Sequence, residues 1–204
     1  IVPDWIPCGN VTMLAGDGGL GKSLLAMQLM IACAVGKPWL GMDVAPCRAV
    51  GLFCEDLPDE LHRRQADINR ALDIDMADLG DMQFVSRVGA DATLGYIDTA
   101  TGQMVGTGLL GALMNQALGI GAQLVVIDSL HDVFAGNENN RGHARQFISL
   151  LRGIATEIDG AVVLTAHPSL AGRNTGTGEA GSTAWNNAVR SRLYLQAAPS
   201  DGDA

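Results

Sequence analysis

Short apolar runs alternate with longer stretches of helical period along this chain. That alternation predicts strands and helices taken in turn, the signature of an α/β protein with a mainly parallel sheet flanked by helices. Val11 to Ala15 reads as a first strand that runs into a glycine-rich turn. Lys22 to Val35 is apolar on nearly every side, which predicts a buried helix, stopped by Gly36-Lys37-Pro38. Ala49 to Cys54 is a second strand. After it Pro58 suits a helix's first turn, Asp59 and Glu60 complement the helix dipole, and Leu57, Leu61, Ile68 and Leu72 supply one apolar face. Met82 to Ser86 is another strand, and Tyr96 to Val105 a small hairpin expected to decorate the core rather than belong to it. Leu109, Leu110, Leu113, Ala117 and Leu118 mark a further helix. Gln123 to Asp128 is a buried strand that ends in a carboxylate. Phe147, Leu150, Leu151, Ile154 and Ile158 give an amphipathic helix, followed by strands at Ala161 to Thr165 and Val189 to Leu195. Residues 135–142 and 169–181 have no period, are polar and rich in Gly or Asn, and are expected as mobile loops. With no internal repeat and no linker, one domain over residues 1–204 is expected.

Composition narrows the class. A chain of 204 residues with 48% hydrophobic side chains and 17% charged ones is not an intrinsically disordered polypeptide. Its longest apolar run, Leu24 to Val35, falls short of the roughly 18 residues that a membrane span needs. No basic segment precedes an apolar stretch at the start, so no secretory signal is read, and a cytoplasmic location is expected. Opening on Ile1 suggests a piece of a longer chain. The net charge of −9 argues against a broad basic surface for duplex nucleic acid. The charge is uneven, with acids crowded between Glu55 and Asp81 and Arg141, Arg145, Arg152, Arg173, Arg190 and Arg192 in the last third. Cys8, Cys33, Cys47 and Cys54 have neither disulfide-motif nor zinc spacing and read as small buried thiols.

The chemistry is concentrated at strand ends. Gly16, Asp17, Gly18, Gly19, Leu20, Gly21, Lys22 and Ser23, with Leu24 after them, match G-x-x-x-x-G-K-[ST] between a strand and a helix. Glycines let the backbone wrap a phosphate, successive N–H groups form an anion nest, and the helix dipole points at the same anion. Lys22 suits the β- and γ-phosphates of a bound nucleotide, and Ser23 suits Mg²⁺. Asp128, at the end of its apolar strand, suits the second metal-holding carboxylate, with a helix cap as its alternative role. Glu55, at the end of the second strand, suits the water-orienting base, and Asp56 competes for that role unless it caps the next helix. His167 at a strand tip is either a γ-phosphate contact or an exposed histidine before Pro168. Arg190 and Arg192 alternate on one face of the last strand, where they serve either as a finger to a neighbouring subunit's nucleotide or as surface charges. Arg141, Arg145 and Arg173 read as solvated.

Taken together, Gly16 to Ser23, Phe53-Cys54-Glu55-Asp56, Val126-Ile127-Asp128-Ser129, Phe134 to Glu138, Ala166-His167-Pro168-Ser169 and Gly181 to Trp185 through Val189 to Tyr194 resemble the RecA-like P-loop ATPases. Within them the chain resembles the RepA/DnaB-type branch, the hexameric replicative helicase-like ATPases of plasmids and phages. The resemblance implies ATP and Mg²⁺ as cofactors and Asp128 as the metal-holding acid. It implies Glu55 as the catalytic carboxylate, His167 as a γ-phosphate sensor, and an arginine of Val189 to Arg192 as the finger across a ring interface. It also implies single-stranded DNA in a central channel lined by the loops at 137–145 and 169–181. The two lysines and the acidic balance depart from that pattern. An ATP-switched helicase loader or recombination mediator is the alternative, and a P-loop small-molecule kinase ranks below both because no compact arginine-rich lid is visible.

Overall fold

The computed structural model describes residues 1–167 and 183–198. Six strands form one sheet in the order β3-β2-β6-β8-β1-β9, every neighbouring pair parallel. They are β1 (Asn10–Gly16), β2 (Arg48–Phe53), β3 (Met82–Ser86), β6 (Ala122–Asp128), β8 (Ala161–Ala166) and β9 (Ser191–Leu195). Parallel strands covered on both faces read as unbroken apolar runs, and β6 from Leu124 to Ile127 and all of β8 are buried for that reason. Side chains still alternate between the faces. Val11, Met13 and Ala15 of β1 pack into the core that holds α5 (Arg141–Glu157), whereas Leu14 packs with α1 (Lys22–Val35). Helices α2 (Pro58–Leu72), α3 (Gly108–Ile120), the short α4 (Leu130–Val133) and α6 (Thr183–Ala188) complete the layers. No helix among the described residues is long and apolar enough to cross a membrane.

Four expectations need correction. The Tyr96 to Val105 hairpin forms as β4 (Gly95–Ile97) against β5 (Met104–Gly106), but β4 also pairs in parallel with β7 (Phe134–Ala135). Leu94 and Met104 there are core residues, so the hairpin is part of the packing. The segment 135–142 is also more structured than expected. Ala135 lies in β7, and Asn140 accepts from the N–H groups of Gly142 and His143 at 2.8 and 3.3 Å, capping a helix that begins at Arg141. On α2, Leu57 and Leu72 are exposed. The buried face is Leu61, Gln65, Ile68 and Asn69, with the two amides bonded to each other at 2.7 Å. Finally, Cys8 is exposed, and only Cys33 of the four thiols is fully buried. The expected loop at 169–181, and Arg173 within it, lies outside the described residues.

Candidate functional site

In an all-parallel sheet, carboxyl ends share one edge, and ligands gather in the crevice beyond it. That edge here carries the turn after β1, Glu55 two residues past β2, Asp128 as the last residue of β6, and His167 just after β8. A cavity of about 420 Å³ opens there, lined by Gly19, Gly21, Lys22, Ser23, Leu24, Glu55, Asp128 and His167, with Asp56, Glu60, Arg63, Arg64 and Asp67 on the α2 side.

The turn is shaped for an anion. Gly19 and Gly21 have φ of 78° and 87°, backbone that side chains resist, and a Cβ on Gly18, Gly19 or Gly21 would meet nothing within 4 Å. The free N-terminus of α1 starts from Gly21, with no side chain capping it. Lys22 is 6% exposed. Its ammonium donates to the carbonyls of Gly16 and Asp17 at 2.9 and 3.0 Å and stands 3.3 Å from Nδ1 of His167. An ammonium can only donate, so Nδ1 accepts and the ring proton belongs on Nε2. Nε2 lies 3.5 Å from Oε1 of Glu55. The Ser129 hydroxyl stands 2.9 Å from the same Oε1 and 2.7 Å from Oδ2 of Asp132. Lys22, His167, Glu55 and Ser129 are thus one connected chain.

Asp128 is 2% exposed, and burial pushes its carboxyl upward from the ordinary value, while the Ser23 and Thr165 hydroxyls pull it back. Thr165 donates to Oδ1. Oδ2 has no hydrogen-bond partner among the described residues. A buried carboxylate oxygen with no donor, beside a serine hydroxyl at a phosphate-shaped loop, fits a divalent cation of the Mg²⁺ kind. The thiol of Cys54 is pushed up to about 12, by burial first and then by Asp132 and Asp128, so it stays protonated and is no nucleophile.

Asp56 does not cap α2, whose N-cap is Leu57. Its carboxylate is held by both terminal nitrogens of Arg64, 2.9 Å at the longer contact, and Arg64 also reaches Glu60 at 2.8 Å. Asp56 is therefore engaged, and Glu55 is the acid that joins His167 and Ser129. Arg190 lies in a bend before β9 rather than on it, and is exposed. It does not share a strand face with Arg192, as the alternation had suggested. Arg192 is exposed on edge strand β9 and borders a second cleft, not the phosphate cavity. Neither arginine joins Lys22 within the chain. Sequence reading passed over Thr165, whose hydroxyl hides in a uniformly apolar strand, and Arg64, whose partner Asp56 is eight residues back.

This fold and cavity define a P-loop nucleotide-binding protein of RecA-like architecture. The AAA domain family matches residues 1–173, and the chain belongs to it, a family of P-loop ATPases. The match ends before Arg190 and Arg192. Among solved structures, a KaiC-like protein from the hyperthermophilic archaeon Pyrococcus horikoshii superposes with a TM-score of 0.57 at 18% identity, over 93% of this chain and 72% of that one. At that identity the likeness concerns the fold.

Proposed function

We propose that the chain hydrolyses ATP with Mg²⁺ and, as a RepA-like ring, couples turnover to movement on single-stranded DNA. The observation that carries the hydrolytic reading is the convergence of Lys22, Ser23, Glu55, Asp128 and His167 on one cavity from four separate strand ends. The nest at Gly18 to Gly21 receives the β-phosphate. The triphosphate competes for the Lys22 ammonium, which leaves the carbonyls of Gly16 and Asp17 and the ring of His167. His167, released from the lysine, is free to turn so that a ring N–H donates to the γ-phosphate. Glu55 orients the attacking water and accepts its proton, with Ser129 fixing the carboxylate's direction. Ser23 and Asp128 would hold Mg²⁺, which would supply charge neutralisation to the phosphates. In this reading Arg190 and Arg192, exposed at and just before edge strand β9, serve the nucleotide of the neighbouring subunit in a homo-oligomeric ring, a hexamer.

A second reading, an ATP-operated switch without translocation, is favoured by the net charge of −9 and only two lysines, a poor endowment for gripping phosphate backbones. Steady-state ATP turnover with and without single-stranded DNA, at low and moderate salt, separates the two. Salt-sensitive stimulation is the expected result, and turnover unmoved by DNA selects the switch. Lys22→Ala is expected to abolish hydrolysis, and normal turnover in that variant would sink the nucleotide assignment altogether.

A further inference from the structure

Two of the four thiols meet where the chain leaving α1 turns back into β2. Cys33 lies in the last turn of α1, and Cys47 is the residue just before β2. The backbone N–H of Cys47 donates to the Cys33 carbonyl at 3.0 Å. Across a hydrogen bond of that length the two Cα atoms stand no more than about 7 Å apart, the outer limit for a disulfide. The thiols are also hydrogen-bonded to each other. Beside them Gly36, with φ of 67°, packs so near Pro46 that a Cβ on the glycine would stand 3.5 Å from Pro46 Cγ. The segment between the cysteines is held by its own contacts. Trp39 and Met42 exchange both backbone hydrogen bonds at 2.9 Å, and the Trp39 indole N–H donates to the Leu25 carbonyl at 3.2 Å. Both ends of this loop are therefore docked already, and joining the sulfurs asks for side-chain rotation rather than backbone movement.

The two sulfurs are not equivalent. Cys33 is fully buried, whereas Cys47 is half-buried and open to a small reagent. The hydrogen bond with Cys33 holds the Cys47 thiol below its ordinary value, against the opposing effect of burial. The same bond, and then burial, raises Cys33. Cys47 is thus the sulfur that ionises and meets solvent, and Cys33 the one that keeps its proton. Their position gives a link consequences beyond the loop. Cys33 shares α1 with Lys22 and Ser23, and Cys47 leads into β2, just beyond whose end stands Glu55.

We propose that Cys33 and Cys47 are an oxidative modification site, closed to a reversible disulfide by a peroxide and tying the phosphate-loop helix to the strand that leads to Glu55. The Cys47 thiolate attacks one peroxide oxygen, the O–O bond breaks, and the departing hydroxide takes up the proton that Cys47 had released, giving water and a sulfenic acid. The Cys33 sulfur then attacks the sulfenic sulfur. The S–S bond forms as the S–O bond breaks, and the hydroxyl leaves with the Cys33 proton as a second water. Two thiols are oxidised by two electrons and one peroxide is reduced to two waters. Treatment with hydrogen peroxide, alkylation in denaturant without reductant and peptide mapping by mass spectrometry test the site. The expected product is a Cys33–Cys47 peptide pair, two hydrogens lighter than the free peptides and split by dithiothreitol. In Cys33→Ser the reaction should stop at the Cys47 sulfenic acid, so dimedone labels Cys47 about tenfold more than in wild type. Both cysteines found alkylated after peroxide overturn the proposal, as does Cys47 carried to sulfinic acid with Cys33 still free. Disulfides confined to Cys8 between two chains overturn it too, and equal dimedone labelling in the two proteins refutes the part given to Cys33. The wild-type map stands by itself should the variant fail to fold.

Discussion

Replacing Asp128 by asparagine should make the ligand-free protein more stable while making it a worse enzyme. Asp128 is 2% exposed, its Oδ1 receives the Thr165 hydroxyl, and its Oδ2 has no partner among the described residues. Burial raises its carboxyl above the ordinary 3.8, and the charges of Glu55 and Asp56 add to the rise. The sign of the linkage follows. Between 3.8 and the raised folded value, the folded state keeps a proton that the unfolded chain has given up, so stability falls as pH rises through that window. At neutral pH the full penalty is in place. An amide of the same shape keeps the Thr165 bond and removes the buried charge. A buried group without its hydrogen bond costs about 1–3 kcal/mol, so a net gain of about 1–2 kcal/mol is expected after the amide finds imperfect partners. For a chain of this size that raises the melting temperature by roughly 2–8 °C. Calorimetric melting in EDTA at pH 7 measures it, and scans at falling pH should show the gap between wild type and variant narrowing as pH drops through the raised folded value towards 3.8. With Mg·ADP at a hundredfold excess over its dissociation constant, wild type should recover about 2.7 kcal/mol by mass action, and the variant much less. A variant that melts below wild type in EDTA would refute the claim that Asp128 bears an unrelieved burial cost.

Three further outcomes are expected. Glu55→Gln should lower ATP turnover by about 10²–10⁴-fold while leaving ADP affinity near wild type, measured by coupled assay and calorimetry, because the carboxylate acts on water rather than on the nucleotide. Arg190→Ala with Arg192→Ala should reduce turnover only at protein concentrations where the chain assembles, and full activity of the double variant there would remove the finger role. Gly160→Ala should destabilise by about 1–3 kcal/mol or more in urea unfolding, since its Cβ would stand 2.0 Å from the Gln123 carbonyl oxygen, a backbone atom that cannot step aside.

The core strands and the phosphate loop were legible because each depends on local pattern. A buried parallel strand is a run of apolar residues, and the carboxylate or glycine that ends it marks the ligand edge, which is how Asp128 and Gly16 could be placed from sequence. What was missed depends on partners distant in sequence. On α2, the helical period suggested Leu57 and Leu72 as core, yet Gln65 and Asn69 are buried beside Leu61 and Ile68, joined by one amide–amide hydrogen bond of 2.7 Å that an apolar-period reading does not see. The Tyr96 to Val105 hairpin looked peripheral because its strands are three residues long, and its attachment is to Phe134 and Ala135, nearly forty residues on. Arg190 was placed on a strand face by alternation alone, whereas the chain reaches strand geometry only at Ser191.

The charge around the site explains why an acidic protein can still hold a polyanion. Glu55, Asp56, Glu60, Asp67 and Asp128 line the phosphate cavity against Lys22, Arg63 and Arg64. That excess of acids would repel a triphosphate if every group were free to act on it. Asp56 and Glu60 are instead committed to Arg64 and Arg63, and those guanidinium groups pull the Glu60 carboxyl down to about 2. Their charges are cancelled in pairs at the α2 wall, away from the loop. The acids left uncompensated are Glu55 and Asp128, at the strand ends where the γ-phosphate would lie, and both suit a site whose ligand arrives with a divalent cation. The distribution of ion pairs, rather than the net charge of −9, therefore decides what the cavity accepts.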